Sequence, residues 1–169
     1  RSDSMIQSIE EVVSLPDPIG ETMDEWTRPN GLNISKVSVP LGVIGIIYES
    51  RPNVTSDAAV LCLKSGNAVI LRGGSESIET NKSIHDSISI ALINSNIDKN
   101  TVQLVRDPDR KAVDLMLKGL DGNLDILVPR GGKNLVAKVK SDARIPIIGH
   151  LEGICHVYVQ GSSNIDTAI

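Results

Sequence analysis

Residues 43–47, VIGII, form an apolar run without a polar break, and a strand of this kind is buried on both faces. Such a strand belongs inside a parallel sheet with helices on either side. Downstream the pattern alternates: a helix over 56–65, the strand AVILRGG, a helix over 78–93, the strand VQLVR, a helix over 109–118, the strand DILVP, and a helix over 132–140. The segments IPIIGH and CHVYV then read as further strands. Short strands separated by helices of about three turns predict an α/β fold, a doubly wound parallel sheet with helices on both faces. No repeat of solenoid length and no low-complexity tract interrupts it.

Upstream the pattern differs. SMIQSIEEVVSL spaces Met5, Ile6, Ile9, Val12 and Val13 at helical intervals and stops at the two prolines of PDPIG. A short second helix, GETMDEW, is expected next, followed by the turn signal RPNG and a half-exposed strand carrying Leu32, Ile34, Val37 and Val39. The expected division is an N-terminal helical segment over 1–30 and a sheet domain over 31–169.

With no Phe, one Trp and two Tyr among 169 residues, the core must come from Ile, Leu, Val and Ala, and no platform exists for stacking bases. A formal charge of −4 supplies no general attraction for phosphate backbones, so nucleic acid is not an expected partner. No apolar run approaches the roughly 20 residues of a membrane span, and RSDSMIQSIEEVV is too acidic for a signal peptide. The expected location is cytoplasmic, with no membrane partner and no metal. Both ends read as cut: the chain opens on Arg1, and it closes on SSNIDTAI, where Ser163 or Asn164 would cap a helix barely begun. Cys62, in the apolar stretch AAVLCLK, and Cys155 read as free thiols.

Ligands of open α/β sheets gather beyond the carboxyl ends of the strands. Three stretches lie there. ESRPNV carries Arg51 in a proline turn; RGGSES brings Arg72, Gly73, Gly74 and Ser75 to a helix start; PRGGKN brings Arg130, Gly131, Gly132 and Lys133 to another. Glycines before a helix let backbone N–H groups approach an oxyanion, and an adjacent arginine favours negative charge. Two such loops suit a ligand with more than one phosphate, although tight turns and solvated arginines would leave the same pattern. The GxGxxG fingerprint is absent.

GHLEGICHVYV sets Cys155 between Glu152 and His156, in the manner of a covalent active site. Alternation along CHVYV, however, turns Cys155 and His156 to opposite faces, so the imidazole is no base for the thiol. Cys155 is expected to be a core cysteine.

Taken together, WTRPNGL, VPLGVIGIIYESRPNVTSDAAVLCLKSGNAVILRGGSES, LVPRGGKNL and GHLEGICHVYV resemble the gamma-glutamyl phosphate reductase (glutamate-5-semialdehyde dehydrogenase) family of the aldehyde dehydrogenase superfamily. The resemblance covers nearly the whole chain. It implies an aldehyde dehydrogenase type fold with a Rossmann-like domain over 31–169 that binds NADPH or NADP. The implied activity is reduction of L-glutamyl 5-phosphate to L-glutamate 5-semialdehyde, the second step of proline biosynthesis from glutamate. It also implies a nucleophilic cysteine downstream of the EGxCHVYV strand, so that this chain is the cofactor-binding part, lacks most of the catalytic domain and is inactive alone.

By the same resemblance, residues 72–75 fall where relatives grip the adenosine ribose. Arg72 and Ser75 stand where NAD-preferring relatives have a Lys and a Glu, which favours a 2′-phosphate and hence NADP. Arg130, Gly131 and Gly132 fall near the pyrophosphate. Ser50 falls on the nicotinamide side, near the place of an oxyanion-hole amide, leaving Asn53 or a backbone N–H to fill that role. Arg51 is the expected ligand of the substrate phosphate or α-carboxylate. Glu152 is not expected to be the base of aldehyde dehydrogenases, whose place falls nearer Gly149. Expected partners are glutamyl 5-phosphate, glutamate 5-kinase for substrate transfer, and further copies of the full-length chain in a homo-oligomer. Two other readings fit the residues: the reductase part of a bifunctional pyrroline-5-carboxylate synthase, and a non-catalytic nucleotide-binding module.

Overall fold

The computed structural model describes residues 2–49, 51–150, 156 and 158–160, without the side chain of Ser2. In chain order the elements are α1 (Ser2–Ser14), β1 (Thr22–Thr27), β2 (Asn33–Val37), β3 (Val43–Tyr48), α2 (Asn53–Lys64), β4 (Ala68–Arg72), α3 (Ile78–Asn94), β5 (Val102–Leu104), α4 (Arg110–Leu117), β6 (Ile126–Arg130) and α5 (Lys133–Asp142). Strands β3 to β6 form one parallel sheet in the order β5-β4-β3-β6. The α/β fold class read from the alternation is the one found.

Strand β3 shows why a continuous apolar run was needed. Ile44, Ile46 and Tyr48 point into a core shared with α2, α3, β4 and β5, where Ala58, Ala59, Cys62, Val69, Leu71 and Leu92 are buried. Ile47 points the other way, into a second core with Val113, Met116, Leu117, Leu127 and Val139 from α4, β6 and α5. On the same face as Ile47, Gly45 leaves room for Leu127 and Leu124, whose methyls would lie 2.7 and 2.9 Å from an added Cβ. A side chain there would collide with the second core.

The N-terminal region departs from the expectation. GETMDEW is not a helix: residues 22–27 are β1, paired antiparallel with β2 so that Trp26 lies opposite Ile34 and Thr27 opposite Asn33. Met23 and Trp26 stand at helical spacing, but pairing with β2 overrides that local signal. The turn is closed by Arg28 N–H to Leu32 O at 2.8 Å and Gly31 N–H to Arg28 O at 2.9 Å, with Gly31 at φ +83°. Only Gly adopts that backbone without strain. The expected division at 30/31 thus falls inside the hairpin turn. IPIIGH also differs: it makes a single parallel bridge, Ile147 to Leu127, rather than a strand. Of CHVYV, Cys155 and Val157 lie outside the described residues, and His156, Tyr158 and Val159 are not in a strand.

Candidate functional site

From β3 the chain winds outward to β4 and β5, then returns to place β6 on the other side of β3. The reversal opens a crevice between the carboxyl ends of β3 and β6, where ligands of such sheets bind. A cleft of about 380 Å³ lies there, lined by Glu49, Arg51, Arg130, Gly131 and Gly132. Larger depressions of about 540 and 530 Å³ lie between the ends of α4 and α5 and along the outer edge at β5. They lack the glycine–arginine loops, so position and chemistry, not volume, single out the smaller cleft.

Register places the cleft walls. Tyr48 pairs with Arg130, and the N–H of Glu49 donates to the carbonyl of Arg130 at 3.1 Å. The Glu49 side chain then turns onto the glycine loop, where its Oε2 accepts from the N–H of Gly132 at 2.8 Å. Gly132 is the N-cap of α5, so the carboxylate sits at the positive end of that helix. An added Cβ on Gly131 would lie 2.6 Å from that oxygen and 2.8 Å from Leu135, which explains the glycine by close approach. Arg51 and Arg130 are exposed, and among the described residues neither guanidinium makes an ion pair or a side-chain hydrogen bond. Two uncommitted cations in one cleft are equipped to hold an anion.

The second glycine loop is built differently. Arg72 pairs with Ile47 on the opposite side of β3, about 10 Å from Arg130 across two strand spacings. Its Nη1 donates to Gly73 O at 3.0 Å and its Nη2 to Pro108 O at 3.1 Å, while its buried Nε has no partner among the described residues. Gly73 and Gly74 are buried; Ser75 is exposed at the start of a 3-10 turn, Ser75–Ser77. The space beside Gly73 is filled by Asn81 and the Tyr48 ring, 2.2 and 3.0 Å from an added Cβ.

The structure therefore gathers Arg51, Arg130, Gly131 and Gly132 in one cleft and sets Arg72, Gly73, Gly74 and Ser75 in a separate loop beyond β4. Asn53 opens α2, and its amide donates to Asp57 Oδ2 at 3.0 Å. Ser50, Glu152 and Cys155 lie outside the described residues. Glu49 carried no assigned role in the sequence. Its signal was position, as the one acid immediately after the doubly buried strand. Cys62 is a buried free thiol that burial pushes up to about 11, the opposite of a nucleophile. Among the described residues no group of His, Cys, Asp or Glu is placed to hold a metal, and no helix is long and apolar enough to cross a membrane.

No family model matches the chain. A gamma-glutamyl phosphate reductase of Parvibaculum lavamentivorans is 59% identical over 168 residues, 99% of this chain and 40% of the relative. The crystal structure of a gamma-glutamyl phosphate reductase from Thermotoga maritima superposes with a TM-score of 0.88 at 43% identity, covering 98% of this chain and 40% of that one. A probable aldehyde dehydrogenase from Listeria monocytogenes (TM-score 0.67, 18% identity, 83% of this chain and 30% of that one) shares the fold. So does an engineered glycolyl-CoA reductase with bound NADP+ (TM-score 0.64, 20% identity, 88% and 37%). The chain thus spans about two-fifths of the length of the curated relatives it matches.

Proposed function

We propose, from the premise that this chain belongs to the gamma-glutamyl phosphate reductase family, that its residues form the NADPH-binding part of an enzyme reducing L-glutamyl 5-phosphate to L-glutamate 5-semialdehyde and phosphate. The observation that carries the reading is a conjunction. A chain 59% identical to a named reductase places two exposed arginines and a glycine loop at the switch point of its sheet. The donor set suits a phosphorylated dinucleotide, since the cleft offers cationic side chains and glycines through which backbone can approach closely. When bound there, NADPH supplies the hydride.

The chain's own residues bind and orient. Arg130 and the Gly131–Gly132 loop receive the pyrophosphate, Gly132 once its N–H releases the Glu49 carboxylate, Arg51 reaches toward the substrate phosphate or carboxylate, and Ser50 lines the nicotinamide side. Arg72, Gly73, Gly74 and Ser75 serve the ribose end and its 2′-phosphate through Ser75 and backbone groups. One N–H of each Arg72 terminal nitrogen anchors the guanidinium to this loop through Gly73 and Pro108, and the second N–H of each is left to donate to the phosphate. Asn53 serves as oxyanion donor only after releasing Asp57. The nucleophilic thiol belongs to a cysteine other than Cys62. Use of NADP by a structural neighbour, the engineered glycolyl-CoA reductase, supports the cofactor. A cytoplasmic location, a homo-oligomeric parent and substrate transfer from glutamate 5-kinase complete the reading.

The test is NADP+ reduction with glutamate 5-semialdehyde, with and without inorganic phosphate, by the longer protein that contains these residues. Phosphate-dependent reduction is expected; reduction indifferent to phosphate would exclude an acyl-phosphate product. Activity of residues 1–169 alone would refute their assignment as the cofactor part.

A further inference from the structure

Beneath the carboxyl ends of β3 and β4 lies a chain of buried polar groups that neither the core nor the cleft requires. The Tyr48 hydroxyl is 2.7 Å from Thr55 Oγ1, and Thr55 Oγ1 donates to Asn81 Oδ1 at 3.2 Å. Because a hydroxyl has one proton to give, Tyr48 is the donor to Thr55 in this arrangement. Tyr48, Thr55 and Asn81 are 1%, 0% and 0% exposed. The amide nitrogen of Asn81 is buried with no hydrogen-bond partner among the described residues and is aimed at Gly73, whose Cα it approaches so closely that no Cβ would fit. Apolar residues of similar volume would fill the space at less desolvation cost, so stability alone does not explain this group.

Its connections suggest another role. Tyr48 is the last residue of β3, before the turn that carries Arg51. Thr55 is in the first turn of α2, where its N–H donates to Pro52 O at 3.0 Å, and the N–H of Val54 donates to Arg51 O at 3.0 Å. Asn81 is in the first turn of α3 and abuts the 73–75 loop. Hydrogen bonds thus link the end of β3 to the first turns of α2 and α3, and the Asn81 amide and the Tyr48 ring pack directly against Gly73 of the loop after β4.

We propose that Tyr48, Thr55 and Asn81 are positioning residues that lock the turn after β3 and the glycine loop after β4 into one frame, so that a single extended ligand spans both. The inference rests on the cofactor reading for the ligand, an NADP-type dinucleotide, but not for the mechanical coupling. The variants are Tyr48→Phe, which keeps the ring, Thr55→Val, which keeps the shape, and Thr55→Ser, which keeps the hydroxyl, all in the longer protein.

Hydrogen exchange over 49–54 and 72–78 should rise together in Tyr48→Phe and in Thr55→Val, and the NADPH dissociation constant should rise about tenfold, as expected for one lost buried hydrogen bond. Thr55→Ser should restore both, and the Tyr48→Phe/Thr55→Val pair should cost little more than either single change. Loosening of one segment alone, or a lowered melting temperature with unchanged exchange, would overturn the proposal. If the unaltered protein fails to bind NADPH, the cofactor reading falls while the exchange measurement still decides the coupling.

Discussion

The tripeptide Arg-Gly-Gly occurs twice at the carboxyl edge of one sheet, after β4 and after β6, and the two copies have different surroundings. After β4, Arg72 turns its guanidinium onto backbone carbonyls, and Gly73 is pressed between Asn81 and Tyr48. After β6, Arg130 is exposed and makes no ion pair among the described residues, and Gly131 and Gly132 face a cleft whose other wall is the Glu49 carboxylate. An identical local sequence is thus pressed against buried side chains in one place and exposed along a cleft in the other. The difference comes from what the neighbouring strand and helix bring alongside.

The sharpest test of this contrast is a methyl group. Gly73→Ala should destabilise by about 3 kcal/mol in urea denaturation, because Asn81 and the Tyr48 ring cannot both retreat. Gly131→Ala should cost about 1 kcal/mol or less, since the obstructing Glu49 carboxylate and Leu135 methyl are both ends of flexible side chains. Equal losses would erase the distinction between the loops.

The buried side should also be the alkali-sensitive side. Burial raises the Cys62 thiol from 9.0 to about 11, and it raises the Tyr48 phenol as well, with the Thr55 bond lowering it by less. Both groups are neutral when protonated, so an unfolded chain releases their protons earlier than the folded one. Their stabilising effect is complete below the unfolded values and is lost as pH rises above them. Between pH 9 and 11 Cys62 alone should remove about 2 kcal/mol of stability, and Cys62→Ala should flatten that slope. An unchanged slope in the variant would mean that the thiol is not desolvated.

The arginines should separate next. Arg72→Ala gives up two hydrogen bonds to backbone and should lower stability by about 1–2 kcal/mol. Arg130→Ala should leave stability within about 0.5 kcal/mol while weakening NADPH binding about tenfold by fluorescence titration. A stability loss at Arg130 as large as at Arg72 would show that it, too, is structural.

The smallest effect belongs to Asn53. Removing its bond to Asp57 with Asn53→Ala should change stability by less than about 0.5 kcal/mol, as for other exposed pairs four residues apart on a helix. A fall in turnover without a change in NADPH affinity would mark it as an oxyanion donor.

Much of this was legible before any coordinates. The VIGII run required cover on both sides and has it, and the regular succession of apolar runs and amphipathic segments pointed to a parallel α/β sheet with β3 to β6 and α2 to α5 within three residues of their observed bounds. Both Arg-Gly-Gly loops were recognisable as strand ends, and the composite motifs pointed to the family that the relatives bear out. These features are local, because side-chain periodicity and turn chemistry are written in consecutive residues.

Tertiary structure decided the rest. The segment at residues 22–27 became a strand because β2 was available to pair with it. Strand order placed Arg130, not Arg72, beside the Arg51 turn, and it brought Glu49 onto Gly132, a residue 83 positions away. Burial and partner choice depend on contacts distant in sequence, so the same three letters led to two opposite environments.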